Sequence, residues 1–149
     1  YVIGLWHNVF VTMWRDKVTL EGLRLTGLYH RQVDGRFVDG YCALAVLSMA
    51  ALDMESDVRA EATRLSDNPG RNLKAIAQVI LGTGFGAATA RTVAAGLQLV
   101  RKAKAPSKIF NDVSTGIRWL EPYIAAAAPG PAPAPADLVS AISVAWGPK

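Results

Sequence analysis

The first fourteen residues, YVIGLWHNVFVTMW, are an almost unbroken apolar run of mostly β-branched and aromatic side chains, the composition of strands. His7-Asn8 interrupts it, so it reads as one continuous strand or as two, Val2–Trp6 and Val9–Trp14. The apolar spacing then turns helical. Thr19 stands where an N-cap belongs, ahead of a helix to about Arg31 with Leu20, Leu23 and Leu28 roughly on one face. Gly22 and Gly27 weaken that helix, each by up to about 1 kcal/mol relative to Ala. The stretch Gln32–Gly40, with two Asp-Gly pairs, reads as turn.

Cys42–Met49 is nearly continuously apolar, as a strand covered on both faces should be. Ser56 reads as the cap of a second helix carrying Val58, Ala62 and Leu65 on one face, and Asn68-Pro69-Gly70 stops it. Leu73–Leu81 is the next apolar strand and runs directly into Gly82-Thr83-Gly84-Phe85-Gly86, a tight turn into a helix from about Gly84 to Arg101. Lys108–Asn111 makes a short strand, and Ser114 caps a helix with Ile117, Trp119 and Leu120 that Pro122 limits. Strands alternating with helices imply right-handed βαβ units. The fold class is α/β, with a four- or five-stranded mixed sheet to which an N-terminal hairpin adds an antiparallel edge.

This domain covers residues 1–124. Residues 125–136, AAAAPGPAPAPA, form an Ala/Pro linker expected to be extended and stiff, close to polyproline II. Residues 137–149 are a short amphipathic tail in which Asp137 reads as a cap and Leu138, Ile142 and Trp146 form a helical stripe, although the same three also alternate with a strand's period. So short a segment is marginal alone, so it should dock through those three side chains, on its own domain or in a homodimer.

Composition narrows the picture. The longest nearly apolar run, Tyr41–Leu52, has 12 residues, against about 20 for a membrane-spanning helix. No secretory leader pattern opens the chain. The single cysteine, Cys42, lies inside that run and reads as a small buried hydrophobe. It forms no internal disulfide and offers no zinc set, which points to the cytoplasm. The net charge of +4 is uneven: residues 1–69 carry seven Lys/Arg against nine Asp/Glu, residues 70–149 nine against three. The densest basic stretch, Arg101, Lys102, Lys104 and Lys108, follows a helix, where cations face the negative end of its dipole. Only Phe110 interleaves an aromatic with it, which argues against nucleic acid as a partner.

Candidate chemistry is sparse. Gly82-Thr83-Gly84-Phe85-Gly86-Ala87 satisfies G-x-G-x-x-A between a strand and a helix, where backbone N–H groups hold a pyrophosphate or another anion. The acidic ribose partner this requires has only Asp112 as a candidate, about thirty residues on where about twenty is usual, and the turn lies late in the fold. Glycine's freedom in a cramped turn accounts for the motif more simply. His7 sits at the strand break and His30 at a helix end, where a capping imidazole is favoured. With one Cys and two separated His, a catalytic dyad would rest on the fold alone. Asp53, Glu55 and Asp57 complement the dipole of the second helix and make no dedicated metal cage, so neither a metal nor another cofactor is expected. Trp6, Trp14, Trp119 and Trp146 read as core or interface anchors, with Trp6 and Trp14 on one face if a single strand runs through both.

The order strand AIAQVIL, turn, helix AATARTVAAGL, strand SKIF, Ser114 and a closing helix with Trp119-Leu120 resembles the second half of STAS domains, the anti-sigma-factor antagonist fold. The resemblance spans roughly residues 5–122 and is one of pattern. It implies a non-enzymatic regulatory module acting through protein contact, with its phosphorylatable serine at the position of Ser56. The Asp-Ser-Ser-Gly-like motif is absent there, and Glu55 and Asp57 would repel a phosphate. The expected contact surfaces are the helix after Ser56, the Gly82–Gly86 turn and the tail. The alternative is a small-ligand domain holding an anionic or nucleotide group at Gly82, Thr83, Gly84 and Gly86.

Overall fold

In the computed structural model the described residues are 1–100, 104–127 and 134–147, with side chains left aside at 97–100. The N-terminal run is a hairpin of β1, Val2–Trp6, and β2, Val9–Trp14, paired antiparallel with Trp6 opposite Val9. His7 turns the chain with a left-handed φ of 52°. Trp6 and Trp14 therefore serve opposite faces of the sheet. Then follow α1 (Leu20–Arg36), β3 (Tyr41–Leu47), a 3-10 turn (Ala50–Leu52), α2 (Ser56–Asp67), β4 (Leu73–Ile80), α3 (Gly84–Val100), β5 (Ser107–Phe110), α4 (Val113–Ala127) and α5 (Pro135–Trp146). The sheet is five-stranded and mixed, in the order β1-β2-β3-β4-β5, and every pair after the hairpin is parallel.

That uninterrupted order decides which face each helix covers. Right-handed crossovers between strands added always in one direction bring α1, α2 and α3 to the same face. The opposite face is left to α4 and α5. There Val9, Val11 and Met13, Cys42, Leu44 and Val46, and Ala75, Ala77 and Val79 meet Ile117, Leu120 and Ile124 of α4 and Leu138 and Ile142 of α5 in one core. Trp6, Trp119, Tyr123 and Trp146 pack against its margin.

Several local readings yield to tertiary packing. Gln32–Arg36 are helical, not turn: Val33 is buried, and the Asp34 carboxylate and carbonyl accept hydrogen bonds from the Asn72 backbone and side-chain N–H groups, both at 2.8 Å. Pro122 lies inside α4 and does not end it. It is exposed, while the stripe through Ile117, Leu120, Ile124 and Ala127 is buried, enough to outweigh the roughly 3 kcal/mol that an interior proline costs. Ser114 is not the cap of α4. Asp112 is, its carboxylate accepting from the Thr115 N–H at 2.8 Å and the Ser114 hydroxyl at 2.6 Å. These bonds, Ser114 first, hold its pKa down to about 2. In α5 the first helical residue is Pro135, preceded by Ala134, so Asp137 sits in the first turn and does not cap. Ala125–Ala127 and Pro135-Ala136 are thus helical. The remainder of the Ala/Pro segment, 128–133, lies outside the described residues, as do Arg101 and Lys102 of the basic stretch.

Candidate functional site

In a parallel sheet all strand-to-helix loops gather at the carboxyl edge, where open α/β sheets place their sites. Here that edge collects Ser48–Glu55 after β3, Leu81–Thr83 after β4 and Asn111-Asp112 after β5. Every residue of the Gly82–Gly86 turn is exposed. Its glycines serve different ends. Gly82 has a φ of 147°, and a Cβ there would lie 2.9 Å from Cγ of Met49 and 3.2 Å from Cβ of Ala87. Gly84 has a φ of 81° but open space around it, so it answers to backbone conformation alone. Close approach of helix to strand belongs to Gly82. The Arg91 side chain reaches back from α3 and donates to the carbonyls of Ile80 at 3.1 Å and Gly82 at 3.3 Å, fixing the turn from beneath.

Phe85 projects from this turn 88% exposed. Met49, packed over Gly82, is also exposed, as is Val93, eight residues beyond Phe85 along α3. Ser56 is the first residue of α2, exposed, and is not its cap. Glu55 holds that position without a side-chain hydrogen bond, and the Asp57 carboxylate accepts from the Val58 N–H at 2.8 Å. Of the nearby acids, Asp53 pairs with Lys17 at 3.0 Å on the open surface. No group of three or more metal-ligating side chains exists among the described residues. The strand order never reverses, so the crevice at which doubly wound sheets hold nucleotides has no counterpart beside Gly82.

Two further features lie elsewhere. His30 is not at a helix end but inside α1, its ring against Phe10 and Tyr41. Its Nε2 is 3.0 Å from the hydroxyl of Tyr41, which is fully buried. Desolvation lowers the His30 pKa, opposed by the charge of Asp34, and burial followed by the same Asp34 charge pushes the Tyr41 phenol up. Gly70 closes this corner, because a Cβ would run into both the Tyr41 hydroxyl and the Asp34 carboxylate. Burial likewise raises the Cys42 thiol to about 12, which leaves it unreactive. The second feature is a cleft of about 410 Å³ between β1 and the second half of α1, lined by Ile3, Gly4, Leu5, Phe10, Tyr29, Gln32, Val33 and Arg36. No sequence motif announces it, since its strand and helix walls are 19 or more residues apart in the chain.

The tail residues Leu138 and Ile142 are buried and Trp146 is partly buried, all against the chain's own sheet, and Val144 faces solvent. Among the described residues no helix is long and apolar enough to cross a membrane. No family model, curated protein or solved structure matches the chain.

Proposed function

We propose that this chain is a non-enzymatic, STAS-like protein-interaction module of the cytoplasm whose partner docks on the carboxyl edge of the sheet. The observation that carries the reading is Phe85, 88% exposed on a turn whose flanking glycines leave the ring bare, with Met49 exposed across Gly82. Apolar groups clustered on an edge that gathers loops are the chemistry of an interface anchor. The exposed Ser56 starts α2 at the same edge, where a phosphate would gain from the helix dipole and lose to Glu55 and Asp57, so its modification would tune docking and not create it. The STAS-like element order and the single unpaired cysteine support the regulatory and cytoplasmic parts of the reading.

The test is a photo-crosslinking residue at position 85, compared with one at the exposed Val144 on the far face. A defined partner adduct should form from position 85 alone and disappear with Met49→Asp, while the melting temperature of that variant stays at the wild-type value. Equal labelling from both positions would sink the reading. Thermal stabilisation by nucleotides or inorganic phosphate that Gly84→Val abolishes would move the assignment to an anionic small ligand.

A further inference from the structure

The sheet ends in two edges of opposite character. At β5 the edge strand has four residues, follows Pro106, and carries the exposed Lys108. Brevity, proline and lysine are the means by which native sheets discourage pairing with another chain. At β1 neither proline nor lysine is present. The strand is Val-Ile-Gly-Leu-Trp, five residues without charge or proline, and no described strand pairs with its outer side. Val2 and Leu5 are exposed on it at 43% and 39%, and Tyr1 just ahead of it at 51%.

The hairpin register says which backbone groups are open. A two-residue loop makes Trp6 and Val9 a hydrogen-bonded pair, and alternation along the ladder makes Gly4–Val11 and Val2–Met13 the same. Ile3 and Leu5 therefore turn their N–H and C=O groups away from β2, toward the open edge. Two identical strands can then pair about a two-fold axis with Ile3 opposite Leu5 of the second copy and Leu5 opposite its Ile3, satisfying all four groups on each strand with four hydrogen bonds. Gly4 falls on the axis, opposite itself, in the non-hydrogen-bonded position where two backbones come closest.

Gly4 is otherwise unaccounted for. Its φ is not left-handed, and a Cβ added to it would meet nothing within 4 Å. A glycine inside a strand weakens it and commonly marks the close approach of another backbone. The second copy would also complete the cleft. Leu5 of that copy stands opposite Ile3 on the same face, at the mouth between β1 and Tyr29.

We propose that two copies of this chain associate through antiparallel pairing of β1 with β1, Gly4 on the two-fold axis, into one continuous ten-stranded sheet. The surface is independent of the carboxyl edge, so its failure would leave the docking reading intact.

Sedimentation velocity across about 1–500 µM, a span suited to an interface of modest area, reads the association. Wild type should pass from monomer to dimer. Leu5→Lys, at an exposed position, should stay monomeric, with a melting curve that matches wild type at about 1 µM, where both are monomers. The register is read by disulfide formation under mild oxidation, since Cys42 is buried. Gly4→Cys brings two Cα atoms within about 4.5 Å and should give covalent dimer, whereas in Val2→Cys the two cysteines lie four residues apart along the ladder, about 13 Å, and should not crosslink. A wild type that remains monomeric throughout, or a Val2→Cys protein that crosslinks as fast as Gly4→Cys, overturns the proposal.

Discussion

The two faces of the sheet are built on different terms. Under α4 and α5, strand positions alternate cleanly: Cys42, Leu44, Val46, Ala75, Ala77 and Val79 are all essentially inaccessible, and they share a single core. Under the crossover helices the same strands present Ala43, Ala45, Ile76 and Gln78 only partly buried, and the core splits in two. One part gathers Phe10, Val33, Tyr41 and Leu73, and the other Trp14, Val18, Leu23, Ala51 and Val58. Three helices cover less than two because each crossover helix must begin and end where its strands do, whereas α4 and α5 are free to lie where the sheet is most apolar. Stability should therefore be concentrated in the C-terminal face, and adaptability in the other.

The largest test of this difference sets Val79 against its neighbour Gln78. Val79→Asp places an uncompensated charge in the single core and should unfold the domain, at a cost of several kcal/mol. Gln78→Asp, on the half-covered face of the same strand, should cost less than about 1 kcal/mol. Equal losses in chemical denaturation would show that the two faces are energetically alike.

Next comes the tail. Deleting residues 134–149 uncovers the sites of Leu138 and Ile142, whose burial is worth about 1.5–3 kcal/mol each before ordering costs. The melting temperature should fall by roughly 10 °C or more, and hydrophobic dye binding should rise. A truncated protein that matches full length in both would make α5 a passive cover.

The smallest effect belongs to the crossover face and to pH. His30 is held neutral in the fold by burial and titrates near 6.5 when unfolded, so the unfolded chain binds more protons once the pH falls below that value. The stability His30 contributes is complete above pH 6.5 and is lost as the pH drops from there through its lowered folded pKa. Amide protection factors, which correct for the intrinsic pH dependence of exchange, should fall over that window more in α1 than in α4, and His30→Phe should remove the difference. Equal loss of protection in both helices would disconnect His30 from the crossover face.

What could be read along the chain follows from how local each cause is. Thr19 does cap α1, accepting from the Gly22 N–H at 3.2 Å, because cap and donor are three residues apart. The strands emerged close to their true bounds because their apolar runs are bounded by turn residues. The Asp34-Gly35 pair misled, since what holds Asp34 in a helix is Asn72, 38 residues away. Ser56 misled more subtly. It and Glu55 are adjacent, and the choice of first helical residue depends on how the 3-10 turn at Ala50–Leu52 delivers the chain. The exposed edge of β1 was hidden until the position of every other strand was known.

The uninterrupted strand order also sets a timetable for synthesis. All five strands precede residue 113, so a nascent chain can assemble its sheet and crossover helices while Val11, Leu44, Ala77 and Val79 still face water. Their cover, Val113–Trp146, is made last, and at about 5–20 residues per second it follows some 2–7 s later. Throughout that interval the most apolar surface of the molecule is open, which makes the half-made chain a natural client for chaperones. Asn8 then secures the closing step: its Nδ2 donates to the Ile124 carbonyl at 3.2 Å, joining the first turn of the sheet to the end of the helix that seals it.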